Sequence, residues 1–104
     1  TVEYFSFGKK RNKRHYIAVA LERCYNNGDE DELGTIVPIF EVVDLEAADN
    51  DDRVVHVATL QSPESDSPEG LLFVNDTKTS GHMFVTNEIS RTLDTYAISQ
   101  ADLA

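Results

Sequence analysis

The side chains that could do chemistry in this chain are few and far apart. Cys24 with His15, His56 or His82 would form a nucleophilic pair if folding set an imidazole within hydrogen-bond reach of the sulfur, because the thiolate needs a base beside it. The local pattern favours a packed cysteine instead. Cys24 falls with Ala18 and Ala20 on the small-residue face of an alternating segment, and no signature of a cysteine enzyme surrounds it. The histidines show no H-x-x-x-H spacing and the lone cysteine no C-x-x-C, so no transition-metal ligand set is legible. Asp29-Glu30-Asp31-Glu32 and Asp49-Asn50-Asp51-Asp52 offer the oxygen ligands that Ca²⁺ takes. The second run, however, lacks the glycine and distal glutamate of an EF-hand loop, and both read as solvated turns. The five glycines are scattered singly, with no phosphate-cradling motif among them. Asn75-Asp76-Thr77 matches the N-glycosylation triplet, which matters only for a secreted chain. The expectation is a non-enzymatic protein with no catalytic residues, no metal and no cofactor.

The densest signal is cationic. Lys9, Lys10, Arg11, Lys13 and Arg14 crowd six positions, with Tyr4, Phe5, Phe7 and Tyr16 close by. Cations beside aromatics can sit on phosphates while rings stack on bases. Residues 1–14 carry these five cations against Glu3, whereas the other ninety residues carry four cations against eighteen carboxylates, for a net charge of −10. An acidic body of that size opposes nucleic acid and anionic membrane surfaces and favours basic partners. The expected partners are therefore other protein subunits, copies of this chain included, with nucleic acid second and no membrane. The basic tip and the acidic residues Asp29, Glu30, Asp31, Glu32, Asp49, Asp51 and Asp52 are the expected contact sites.

The elements that must position these groups are read from periodicity. With 104 residues, 40% of them hydrophobic, the chain has room for one domain, here residues 1–104. Val2 to Phe7 and His15 to Tyr25 alternate as strands, with Ile17, Val19 and Leu21 on one face of the second, and close a hairpin whose tip is basic. Asn27-Gly28 marks a turn and the following acids a solvated loop. Thr35 to Leu45 reads as a strand apolar on both faces near its middle, with Pro38 requiring an edge or a bulge. Residues 46–52 form a second acidic turn. Arg53 to Leu60 alternates, with Val55 and Val57 on one face and Val54, Ala58 and Leu60 on the other. The stretch 61–70, with two Ser-Pro-Glu triplets, reads as a mobile loop too polar for regular structure. Leu71 to Val74 and His82 to Thr86 are strands around a hairpin loop. Val85, Ile89, Leu93 and Tyr96 fit a helix face, so a short helical turn is expected near residues 87–92 with Asn87 as its cap, before a last strand over Leu93 to Ile98 and a frayed or helical tail.

Six or seven short strands without a long helix predict an all-β protein, a small antiparallel sandwich or barrel. No apolar run approaches the length of a membrane-spanning helix, and residues 1–10 lack the apolar core of a signal peptide. A soluble protein is expected, in the cytoplasm or within a virion-like particle. In function, the sequence predicts a structural or adaptor subunit of a larger assembly, for which a phage- or virus-type capsid decoration or tail component is one concrete form. The rival readings are an acidic mimic of nucleic acid that inhibits a nucleic-acid-binding protein, and direct nucleic-acid contact through the basic loop. The mimic gains ground if its carboxylate turns, at 29–32, 49–52 and 64–69, gather at one end of the molecule.

Overall fold

Short runs rich in β-branched and aromatic residues, cut by Gly, Asn and Asp, pair with their neighbours along the chain and leave no segment long enough for a core helix. The computed structural model describes residues 1–21, 25–26, 29–63 and 67–104, with the backbone alone for 25–26 and 29–33. The strands are β1 (Val2–Phe7), β2 (Arg14–Val19), β3 (Tyr25–Asn26), β4 (Asp29–Leu33), β5 (Thr35–Val42), β6 (Val54–Ser62), β7 (Pro68–Asn75), β8 (Ser80–Asn87) and β9 (Thr92–Ser99). One helical turn, α1 (Asn50–Arg53), precedes β6. A four-stranded sheet in the order β1-β2-β5-β6 faces a three-stranded sheet in the order β7-β8-β9, and β3-β4 forms a separate hairpin. All pairings are antiparallel. The protein is an all-β sandwich.

The core comes from the facing sides of both sheets. Phe5, Phe7, Tyr16, Ala18, Val37 and Ile39 of the larger sheet meet Met83, Val85 and Ile98 of the smaller one, and Leu103 plugs the cluster from the tail. Phe5 stacks on Phe73 of the opposite sheet at 4.2 Å between ring centres. On β2 the alternation runs as read, but Tyr16, Ala18 and Ala20 point inward while Ile17 and Val19 are half-exposed. The small face is the buried one because Phe5, Phe7 and Tyr16 already fill the space between the sheets.

Several boundaries differ from the sequence reading. β2 ends at Val19 rather than reaching Tyr25. Residues 29–32 are not a loop: Asn26 lies opposite Asp29 and Tyr25 opposite Leu33, so the acidic run is strand β4. Main-chain pairing is open to any non-proline residue once a hairpin brings two segments opposite each other. The Asn27-Gly28 turn itself lies outside the described residues, as do Cys24 and residues 64–66. β5 is a central strand, yet its pairing with β2 stops at Ile39, so Pro38 has no partner on that side. Beyond it, Ile39 faces Ala58 and Phe40 faces His56, so Val57 is an extra residue bulged out of β6. The bulge breaks the expected face. Ala58 and Leu60 align with the buried Ile39 and Val37, whereas Val54 aligns with Val42 on the outer side.

The described residues of the 61–70 stretch are also mostly strand. Gln61 and Ser62 belong to β6, Pro68 to Gly70 belong to β7, and Ser67 and Pro68 are buried. Residues 88–91 form a hairpin turn, not a helix, and the helical turn of the molecule lies at 50–53 instead. Asn87 is a buried end residue of β8. Its side-chain amide donates to Asp94 Oδ2 at 3.0 Å and Thr92 Oγ1 at 3.2 Å, while its oxygen accepts from Thr35 of the opposite sheet. Ile89 and Leu93 are exposed, because the strand period displaces them from any common helical face. The tail is a 3₁₀ turn, Gln100–Leu103, closed by a reciprocal cap between Ser99 and Asp102, so it is helical and not frayed.

Candidate site: a lysine-lined concavity at one end of the sandwich

The basic segment is built as a hairpin tip because strand register and one glycine require it. Phe7 pairs with Arg14, leaving residues 8–13 to turn the chain, with a 3₁₀ turn at Lys10–Asn12. Gly8 has φ +102°, and a Cβ there would stand 2.7 Å from the carbonyl oxygen of Asn12, so only glycine fits. Its N–H donates to the carbonyl of Lys78 at 2.7 Å. That bond, with Asn75 Nδ2 donating to the Ser6 carbonyl at 3.1 Å, ties the tip to the β7–β8 turn.

Between tip and turn lies a concavity of about 590 Å³ whose charged lining is Lys9, Lys10, Lys13 and Lys78 against Asp76. Asp76 Oδ2 stands 2.6 Å from His82 Nδ1. None of the four lysines forms an ion pair among the described residues. Four cations held on two short turns repel one another in the free protein, so an anion settling among them gains attraction at little ordering cost. Lys78 has no neighbour of like charge in the sequence, and only the hydrogen bond between Gly8 and its own carbonyl reveals its place beside the tip.

The other cations behave differently. Arg14 turns to its own sheet, 3.6 Å from Glu41 Oε1, and Arg11 is exposed outside the concavity. The aromatics near the tip in sequence do not accompany it: Phe5, Phe7 and Tyr16 are core. Tyr4 stacks on His15 on the outer side of the larger sheet, its hydroxyl 2.5 Å from Nδ1. Among the described residues, no aromatic ring lines the concavity. His56 Nε2 stands 2.7 Å from Thr59 Oγ1, so the three histidines are each engaged separately.

The acidic groups divide between the two ends of the sandwich. His15 pairs with Val42, and Val42 with Val54, so the turn between β5 and β6 shares an end with the basic tip. Asp49, Asp51 and Asp52 are exposed there around α1, which is anchored by Arg53 donating to the Ala47 carbonyl at 2.6 Å and to Asn50 Oδ1 at 3.2 Å. Two acids in its first turn and an arginine in its last complement the peptide dipoles. β4, carrying Asp29, Glu30, Asp31 and Glu32, leads through Gly34 into Thr35, which lies opposite Ser62 at the far end. No protein-family model, no curated protein and no solved structure matches this chain. Among the described residues, no helix is long and apolar enough to cross a membrane.

Proposed function

We propose that this protein is a non-enzymatic docking subunit of a larger protein assembly, and that the lysine-lined concavity receives an acidic segment of a partner protein. The observation that carries the reading is the convergence of Lys9, Lys10, Lys13 and Lys78, none of them ion-paired among the described residues, around one opening. A particle component of phage or virus type is one form such a subunit takes. Nucleic acid is less well served, because the concavity offers no ring on which a base could stack. The mimic reading is poorly served as well. Its carboxylates would need one continuous row, whereas the 49–52 turn and β4 stand at opposite ends.

The test is a fluorescence-anisotropy titration with a labelled peptide of alternating Glu and Asp, set beside a single-stranded oligonucleotide. The acidic peptide is expected to bind at low salt, and Lys78→Glu to weaken it on the order of tenfold, a loss of about 1.4 kcal/mol. Failure of the peptide to bind, or tighter binding of the oligonucleotide, would overturn the proposal.

A further inference from the structure

The outer side of the larger sheet carries no charge. In antiparallel pairs directly opposed residues share a face, so the registers place Val2, Tyr4, Ile17, Phe40, Val42 and Val54 together on this side. Charged residues make up 27% of the chain, and a sheet face turned to water ordinarily alternates toward polar residues. Here Val2 is 63% and Tyr4 56% exposed. Both histidines of the same side are matched within it, His15 by Tyr4 and His56 by Thr59, so covering the face does not strand their rings.

The charges stand at the rim, and their places are complementary. In the order β1-β2-β5-β6, the basic tip joins the two strands at one side of the sheet and the acidic turn joins the two at the other, both at the same end. A two-fold axis lying between two facing sheets and parallel to their strands exchanges the sides and keeps the ends. It sets the tip of each copy against the acidic turn of the other, twice. Four strands spaced about 4.8 Å apart make a face roughly 19 Å wide, and the two charged turns at its end extend the contact beyond the sheet itself.

We infer that the partner of this face is a second copy of the chain. The neutral sheet faces pack about such an axis, and the Asp49–Asp52 turn of each copy meets the lysine-bearing tip of the other. This rests on the docking reading above and names the acidic segment.

The test is the mass in solution, by sedimentation equilibrium. The wild type is expected at twice 11.6 kDa, and Tyr4→Asp, at an exposed site, at 11.6 kDa. Salt is a poor probe, since it screens the attraction at this end and the repulsion between the acidic far ends together. A pair of charge reversals is sharper. Lys9→Glu/Lys10→Glu/Lys13→Glu and Asp49→Lys/Asp51→Lys/Asp52→Lys alter exposed positions. Each is expected to be monomeric alone, and their mixture to form a 1:1 dimer, because both contacts then join opposite signs. A wild type that stays at 11.6 kDa while binding the acidic peptide overturns the dimer and leaves the docking reading standing. A wild type that does neither overturns both. A dimer unchanged by Tyr4→Asp, or reversal variants that fail to associate when mixed, also overturns this geometry.

Discussion

Tyr16 lies between Phe5 and Phe7, with ring centres 5.3 and 5.8 Å away, and is fully buried. Among the described residues its hydroxyl has no partner at full hydrogen-bond geometry, although Arg14 lies near enough to favour the phenolate. Burial pushes the phenol above its ordinary value of 10.0, Glu41 adds to the rise, and Arg14 opposes it. A group whose folded pKa is raised contributes stability in full below its unfolded pKa and loses it as pH climbs through the folded value. The protein is therefore expected to lose stability as pH rises above 10. Tyr16→Phe removes an unpaired polar atom and keeps the ring. It is expected to leave the unfolding free energy at pH 7 unchanged or to raise it, by up to about 1 to 3 kcal/mol, and to blunt the alkaline loss. A clear destabilisation at neutral pH would contradict the unpaired hydroxyl.

At the scale of elements, the closing 3₁₀ turn shows how a short sequence signal sets local structure. Ser99 Oγ accepts from the N–H of Asp102 at 3.3 Å, and Asp102 Oδ2 accepts from the N–H of Ser99 at 2.8 Å. The bond from the Ser99 N–H to the carboxylate, helped by the Ser99 hydroxyl, holds the Asp102 carboxyl below its ordinary value of 3.8. With the folded pKa depressed, the contribution is present above the unfolded pKa and lost as pH falls through the folded one. Asp102→Asn should thus lower resistance to urea at pH 7, and by less at acid pH, where the aspartate takes up its proton. Equal effects at both pH values would show that the carboxylate charge is not what the cap uses. The strands teach a second lesson. Alternation located the starts of β1, β2, β5 and β6 to within a residue, although β2 ends six residues early, and a bulge shifts the period by one, so the face assigned to Val54 reversed at Val57. The helical spacing of Val85, Ile89, Leu93 and Tyr96 arises where a hairpin turn interrupts two strands.

At the scale of the molecule, the sandwich is closed by its tail. Leu103 is 1% exposed and touches the core shared by both sheets, so Leu103→Ala opens a void that neighbouring strands cannot collapse into. A loss of about 2 to 4 kcal/mol in urea unfolding is expected, and a loss below about 1 would mean that the tail is dispensable to the core. The same closure governs charge. The basic tip and the turn around α1 carry opposite signs at one end, while β4 with its four acids lies toward the other, so the bipolar chain becomes a molecule with one mixed end and one acidic end.

By itself the sequence determined the all-β class, the basic hairpin and most strand positions, because side-chain period and turn chemistry act between residues close along the chain. The aromatics beside the tip looked available to a ligand, and only packing between sheets decided that Phe5, Phe7 and Tyr16 were core. Lys78, sixty-five residues after Lys13, joined the site through one main-chain hydrogen bond to Gly8. Strand order likewise decided that the 49–52 turn stands beside the tip and that the outer sheet face is neutral across four strands. Such contacts depend on which strands become neighbours, a choice made by burying the two sheets against each other and not by any local preference.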